Sequence, residues 1–229
     1  NTGHTSQNSL SVNGGGEKVG YYFSVNNLNN TSIIPGTDYN RTSFKGNGFA
    51  QLANNFTANF SVTYTRTNSL ISTQGQGYSF YDQILQTPRD IPLQELKDLN
   101  NKFNTVGGYY GAYTLNPYYI LNTSANKNTV DNVLGVSTLS YDPTSWINLT
   151  YRVGTNFYTD ERRAYEPKIT GVTGQNASQT SKIGLYDEND FKVNELTSDL
   201  MATVKRDITK DIKITALLGH NFRQRTVNT

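Results

Sequence analysis

The sequence contains no cysteine and few charged side chains, which make up 17% of its 229 residues. The missing cysteine excludes disulfides and thiolate chemistry. The 20 Lys and Arg residues nearly balance the 18 Asp and Glu residues, so charge gives no reason to propose a nucleic-acid partner. Long apolar runs are missing as well, and no stretch approaches the roughly 18 residues that a membrane-spanning helix needs.

What remains is rich in uncharged polar side chains and in aromatic rings. A hydrophobic content of 35% combined with many polar residues is sometimes a mark of disorder. The 16 Tyr and 10 Phe residues argue against disorder, because aromatic rings bury large areas when a chain folds. The composition therefore favours a folded chain with unusually polar surfaces.

Alternation with a period of two is the clearest pattern, and it is strongest from Phe56 to Arg66, where apolar residues alternate with Thr, Asn and Ser. This period places the two sets on opposite faces of a strand. An apolar face opposite a neutral polar face is typical of a strand between lipid and an aqueous lumen. The residues that we expect to face lipid are Phe56, Phe60, Val62, Tyr64, Ile147, Leu149, Tyr151, Val153, Ile212 and Ile214.

Seven further segments show the pattern, some of them weakly, which makes eight candidate strands. Short and long connections alternate between these strands, and the two largest loops are expected at 67–129 and 159–190. In an up-and-down sheet this alternation puts every short turn at one rim and every long loop at the other. The sequence thus predicts an all-β, antiparallel transmembrane barrel in a bacterial outer membrane, with short periplasmic turns and long extracellular loops. The eight candidates are 7–13, 21–25, 44–52, 56–66, 133–141, 147–157, 196–204 and 212–222.

The longest loop holds the best candidates for binding. Short helices are predicted there at 78–85 and 93–99, and aromatic residues cluster around them. Aromatic faces suit sugar C–H surfaces and peptide side chains, and tyrosine hydroxyls orient polar ligands. Packing within a folded loop is the alternative role. The candidates for binding substrate or a partner are Tyr78, Phe80, Tyr81, Arg89, Tyr109, Tyr110, Tyr113, Tyr118 and Tyr119.

Several stretches resemble SusC/RagA-type TonB-dependent transporters of Bacteroidota. The segment 7–25, which runs through the Gly14-Gly15-Gly16 turn, resembles the first barrel hairpin of that family. The sequence Asn116-Pro117-Tyr118-Tyr119 before a strand, the segment 142–153 and the segment 217–222 also resemble it. The order and spacing of these stretches make the resemblance more specific than any one of them.

The resemblance implies import of a large nutrient, an oligosaccharide or a peptide, across the outer membrane. It implies a plug inside the barrel, energy from TonB through a segment absent from this chain, and a SusD-like surface lipoprotein over the loops. Large transporters have about 22 strands around a plugged lumen. Residues 1–229 are therefore expected to be one partial barrel domain, the first eight strands of a larger wall.

Enzymatic chemistry finds little support in the sequence. The only histidines are His4 and His220, and no spacing typical of metal ligands or catalytic groups is present. We therefore expect no catalytic residue, no metal and no cofactor. Two other functions remain open: a complete small structural or adhesive barrel, which would close through 7–13 and 215–225, and a soluble glycan-binding β-sandwich.

Overall fold

The computed structural model describes residues 2–75, 79–106, 109, 115–170 and 182–229. Eight antiparallel strands form one sheet in which each strand pairs with its neighbours in sequence. The prediction of eight strands in an up-and-down order is confirmed. The strands are β1 (His4–Gly15), β2 (Val19–Thr31), β3 (Asp38–Ala53), β4 (Phe56–Ile71), β5 (Ala125–Thr144), β6 (Ile147–Glu166), β7 (Leu185–Asp207) and β8 (Lys213–Asn228).

The turns and loops separate to opposite rims of the sheet. The connections at 16–18, 54–55, 145–146 and 208–212 are short, whereas 32–37, 72–124 and 167–184 lie at the other rim. The first turn depends on Gly15, whose φ of +145° is rarely adopted by residues with a side chain. A β-carbon at Gly15 would also overlap the carbonyl oxygen of Val19.

The strands extend beyond the expected loop boundaries. β4 continues to Ile71 and β5 already begins at Ala125, so the first large loop is 72–124 instead of 67–129. The second is 167–184 instead of 159–190. In these extensions both faces of the strands carry polar residues, while the backbone hydrogen bonds between strands continue. The sequence there has no apolar alternation that could have indicated a strand.

The described part of the longest loop contains two short helices, α1 (Phe80–Gln86) and α2 (Pro117–Thr123), and one 3-10 turn at Glu95–Lys97. The first helix overlaps the expected segment 78–85 and ends one residue beyond it, and the 3-10 turn falls within the expected segment 93–99. The sequence analysis did not predict α2. Among the described residues, no helix combines the length and the apolar character that crossing a membrane requires.

Within the described residues, the sheet has two open edges and no second layer packs against it. β1 and β8 do not pair with one another in the described structure, so the ring closure that a complete small barrel requires is not observed. Phe60 and Val62 remain 49% and 43% exposed. In a β-sandwich, apolar side chains in the middle of a sheet would be buried against a second sheet. Hydrophobic burial is instead concentrated in the loops, where Leu96, Leu115 and Ile120 lie.

Candidate functional site

The register of the sheet assigns each strand residue to one of two faces, because directly opposed residues in an antiparallel pair share a face. Phe60 lies opposite Gly48 on β3 and Ser137 on β5. Followed across all eight strands, this register collects the large apolar side chains on one surface, which we call the apolar face. Its well exposed members include Leu10, Val12, Tyr21, Phe23, Val25, Phe44, Phe60, Val62, Leu139, Tyr141, Leu149, Tyr151, Leu196, Leu200, Ile214, Leu218 and Phe222.

The residues expected to face lipid lie on this surface, with one exception. Ile212 precedes β8, which begins at Lys213, and belongs to the preceding turn, where its backbone N–H donates to the Thr209 hydroxyl at 3.1 Å. Contact of the other nine with lipid stays a prediction. These nine are Phe56, Phe60, Val62, Tyr64, Ile147, Leu149, Tyr151, Val153 and Ile214.

The height of the apolar face suits a bilayer. On β6 its apolar residues run from Ile147 to Phe157, a distance of about 33 Å at roughly 3.3 Å per residue. A strand tilt of about 40° reduces this distance to a height of about 25 Å, which is the usual height of the apolar band of an outer-membrane barrel.

Charged residues mark the end of the apolar face on the side of the long loops. The Tyr64 hydroxyl donates to Asp131 at 2.6 Å, and the Arg66 guanidinium lies 3.9 Å from the same carboxylate. A tyrosine ring with its hydroxyl turned toward charged groups suits a boundary between lipid and water. The tyrosine therefore lies where an interfacial residue is expected.

The opposite surface, which we call the polar face, is held together by cross-strand hydrogen bonds between uncharged side chains. Ser61 donates to Asn47 at 2.7 Å, and Asn132 donates to Asn156 at 2.9 Å. Such bonds pair amide and hydroxyl groups with one another across neighbouring strands and leave a hydrated surface. Further bonds of this kind join Asn26 to Ser9 and Asn148 to Ser140. The Asn221 amide donates to the Asp199 carboxylate at 2.6 Å.

One buried carboxylate organises the upper part of the polar face. The Asp160 side chain is only 4% exposed, and it accepts hydrogen bonds from Arg162 at 2.6–3.1 Å. Asn128 donates to it at 2.8 Å and the Tyr158 hydroxyl at 3.2 Å. The bonds from Arg162 hold the pKa of Asp160 below its usual value, and this effect outweighs the opposite effect of burial. Asp160 therefore stays ionised and fixes the guanidinium above the polar face.

A second charged group lies at the same rim, on the side of the sheet that carries the apolar face. Glu188 accepts from the Tyr186 hydroxyl at 2.9 Å and from Arg163 at 2.7 Å. These two hydrogen bonds, first that of Tyr186 and then that of Arg163, lower the pKa of Glu188. In the part of the chain that the structure describes, no group of three or more potential ligands is arranged to hold a metal ion.

The described part of the long loop forms a folded unit around Asn116, which is completely buried. Its amide N–H groups donate to the carbonyl oxygens of Leu96 and Asn104, both at 2.8 Å, and its side-chain oxygen accepts from the Tyr118 backbone N–H at 2.9 Å. One side chain thus joins the 3-10 turn, a neighbouring turn and the start of α2. Pro117 at the first position of α2 suits this helix start, because that position needs no N–H donor.

A second buried amide connects α1 to this unit. Gln83 accepts from the Leu115 backbone N–H at 2.6 Å, and Ser79 caps α1 through the Asp82 N–H at 3.1 Å. Ile169, from the loop between β6 and β7, packs against Leu115 and Ile120. The two long loops consequently share one hydrophobic cluster.

The candidate binding residues occupy different environments within this loop. Tyr109 is only 1% exposed and its hydroxyl lies 3.5 Å from that of Thr87, so its burial favours the packing role. Tyr81 is 67% exposed on α1, and Arg89 is also exposed. Three candidates, Tyr78, Tyr110 and Tyr113, lie outside the described residues, and Phe80, Tyr118 and Tyr119 are partly buried.

The residues that shape the site were missed by the sequence analysis. Asn116 was noticed only as part of a family-like stretch, and Gln83 and Asn104 were not singled out. An Asn-Pro pair is a helix-start signal that could have indicated α2. Nothing local indicates that Gln83 reaches Leu115, because 32 residues separate them.

The fold is an open, eight-stranded up-and-down sheet, and comparisons with known proteins find similarity to TonB-dependent receptors. No family model matches the sequence. A TonB-dependent receptor of Formosa agariphila, P26, is 21% identical over 216 residues, which are 94% of this chain and 20% of the receptor. The chain therefore spans about a fifth of the length of that relative.

Solved structures give the same fold. The RagAB peptide importer in its open-open state superposes with a TM-score of 0.73 at 17% identity, over 97% of this chain and 24% of the importer chain. The ferric-catecholate import receptor Fiu of Escherichia coli K12, in its open form, gives 0.55 at 13% identity over 97% of this chain and 32% of that receptor. The expected resemblance to the RagA type of barrel is confirmed.

Proposed function

We propose that this chain forms part of the wall of a SusC/RagA-type, TonB-dependent importer in a bacterial outer membrane. The observation that carries the proposal is the two-faced sheet, with one apolar face and all long loops at one rim. The similarity to RagAB and to the receptor of Formosa agariphila supports it.

The two faces have separate roles in this function. The apolar face meets lipid. Because lipid offers no hydrogen-bond partners, the backbone N–H and C=O groups of the wall pair between neighbouring strands. The polar face lines the lumen. Its amides and hydroxyls bond to one another, as Asn132 does to Asn156, so a passing nutrient meets a hydrated surface. Such a surface lets polar cargo pass without binding it tightly.

The nutrient is a large one, an oligosaccharide or a peptide, and the long loops contact it or a SusD-like surface lipoprotein. Tyr81 and Arg89 offer an exposed ring and an exposed cation on the loop surface. The similarity to a peptide importer supports a peptide, and aromatic rings suit either cargo. TonB supplies the energy through a part of the transporter outside this chain.

The test is uptake by cells that make the complete protein, with and without a functional TonB. Labelled oligosaccharides and peptides are supplied in parallel, and the outer membrane is isolated from the same cells. We expect the protein in the outer-membrane fraction and uptake of one cargo class that depends on TonB. Uptake that persists without TonB, or a protein found in the soluble fraction, would contradict the proposal.

A further inference from the structure

A stacked pair of side chains lies at the rim of the short turns, directly below the apolar face. The guanidinium of Arg206, near the end of β7, lies 5.1 Å from the centre of the Trp146 ring. The Lys205 backbone N–H donates to the Trp146 carbonyl oxygen at 2.8 Å. The β5–β6 turn and the end of β7 are thereby held together, and the ring fixes the position of the cation.

The register places Arg206 on the apolar face, at its lower boundary. Arg206 lies opposite Ile214 on β8, and Val204 precedes it by two residues on the same face. Its side chain is exposed. A cation at this position is in water but next to hydrocarbon-facing side chains, which is where phospholipid headgroups lie.

No carboxylate neutralises Arg206 within the described residues. The neighbouring Asp207 is paired with Lys213 at 3.8 Å. Asp142, in the adjacent hairpin, accepts from the Asn148 amide at 2.8 Å, and Asp211 lies in the turn itself. Residues 205–213 carry four cations and two carboxylates, so this hairpin end is positive.

We propose that Arg206, stacked on Trp146, binds the phosphate group of an anionic phospholipid in the periplasmic leaflet. A guanidinium presents paired N–H donors that match two phosphate oxygens, and the indole ring suits the headgroup region. The inference rests on the proposed function, because it requires the apolar face to lie in the bilayer. It adds a lipid site that fixes the depth of the barrel at this hairpin.

The experiment uses the complete protein in nanodiscs of phosphatidylethanolamine with and without phosphatidylglycerol. Phosphatidylglycerol retained by the protein is measured by native mass spectrometry for the unchanged protein, Arg206→Gln and Trp146→Leu. Arg225→Gln is the matched control, because Arg225 lies on the polar face, 3.9 Å from Glu195. Arg206→Gln is expected to weaken retention about five-fold, Trp146→Leu less, and the control not at all.

Two results would overturn the lipid site while the proposed function stands. In the first, the protein inserts but Arg206→Gln retains as much phosphatidylglycerol as Arg225→Gln. In the second, millimolar inorganic phosphate displaces the lipid, which shows that the site takes free phosphate. A protein that enters no nanodisc would overturn both the lipid site and the proposed function.

Discussion

The ring of Phe60 on β4 covers Gly48 on β3, so closely that a β-carbon at Gly48 would overlap the ring. The two residues are opposed in the register of the apolar face. Gly48→Ala in the complete protein is therefore expected to displace the ring and to lower the free energy of unfolding by about 1 kcal/mol. Urea unfolding in lipid vesicles measures this, and Gly16→Ala is the control, because nothing lies within 4 Å of a β-carbon there.

A double-mutant cycle isolates this contact. In a Phe60→Ala background the overlap is gone, so Gly48→Ala is expected to cost much less. An equal cost in both backgrounds would show that the backbone of β3, and not the ring of Phe60, opposes the substitution.

The assignment of the two faces is tested by placing a lysine on each. Val62→Lys puts a charge near the middle of the apolar face and is expected to lower the free energy of unfolding from vesicles by about 2–4 kcal/mol. Thr65→Lys, on the polar face of the same strand, is expected to cost less than 1 kcal/mol. Equal costs for the two lysines would contradict the assignment of lipid and lumen.

Asn116 is expected to determine whether the long loop folds. Asn116→Ala leaves the buried carbonyl oxygens of Leu96 and Asn104 without their donor, at a cost of about 1–3 kcal/mol for each. We expect proteolysis of 72–124 to become much faster while the barrel strands stay protected. Asn100→Ala, at an exposed position of the same loop, is the control. An unchanged cleavage rate in Asn116→Ala would show that the loop is held by other contacts.

The Asp160–Arg162 pair predicts a dependence of stability on pH. Because Arg162 lowers the pKa of Asp160, the ionised carboxylate stabilises the folded state above the ordinary carboxyl pKa. That contribution is lost as the pH falls through the lowered value, below about 4. Asp160→Asn should thus cost about 1 kcal/mol at pH 6 and less at pH 3, as measured by urea unfolding.

The control for this pair is Asp190→Asn, which removes an exposed carboxylate from the same edge. We expect no loss of stability from it at either pH. If Asp160→Asn cost as much at pH 3 as at pH 6, packing around Asp160 and not its charge would be the source of the effect.

The exposed and the buried tyrosines of the loop are expected to differ in function. Tyr81→Ala should weaken binding of the nutrient or of the partner lipoprotein and leave the loop folded, because Tyr81 is 67% exposed. Tyr109→Ala should destabilise the loop by about 3 kcal/mol, since it removes a buried ring. Binding and limited proteolysis are measured on both variants. Normal binding by Tyr81→Ala would remove Tyr81 from the site.

The parts of the strands that have the apolar face on one side and the polar face on the other could be predicted from the sequence. From Phe56 to Tyr64 every second residue meets the same surroundings, so the alternation is continuous and the register follows from it. Beyond the apolar face this condition ends. Residues such as Arg66 and Asn68 are still in a strand, but polar side chains are acceptable on both of its faces there, and no pattern marks where it stops.

The candidate site could be predicted only as a location. An aromatic-rich loop indicated where candidate binding residues lie, but Tyr81 and Tyr109 belong to the same residue type and differ completely in exposure. Asn116 meets Leu96 and Asn104 across 20 and 12 residues. Such contacts depend on how the loop folds back on itself, which composition and local spacing do not encode.

The sequence by itself determined the two-faced strands, their up-and-down order and the side on which the long loops lie. These features repeat with a period of two or follow from loop length, so neighbouring residues carry them. Tertiary structure alone decided which loop tyrosine is buried, that Ile169 joins the hydrophobic cluster of the other long loop, and that Arg206 stacks on Trp146. Each of these depends on residues far apart in the chain, whose meeting is decided by packing and by the pairing of long strands.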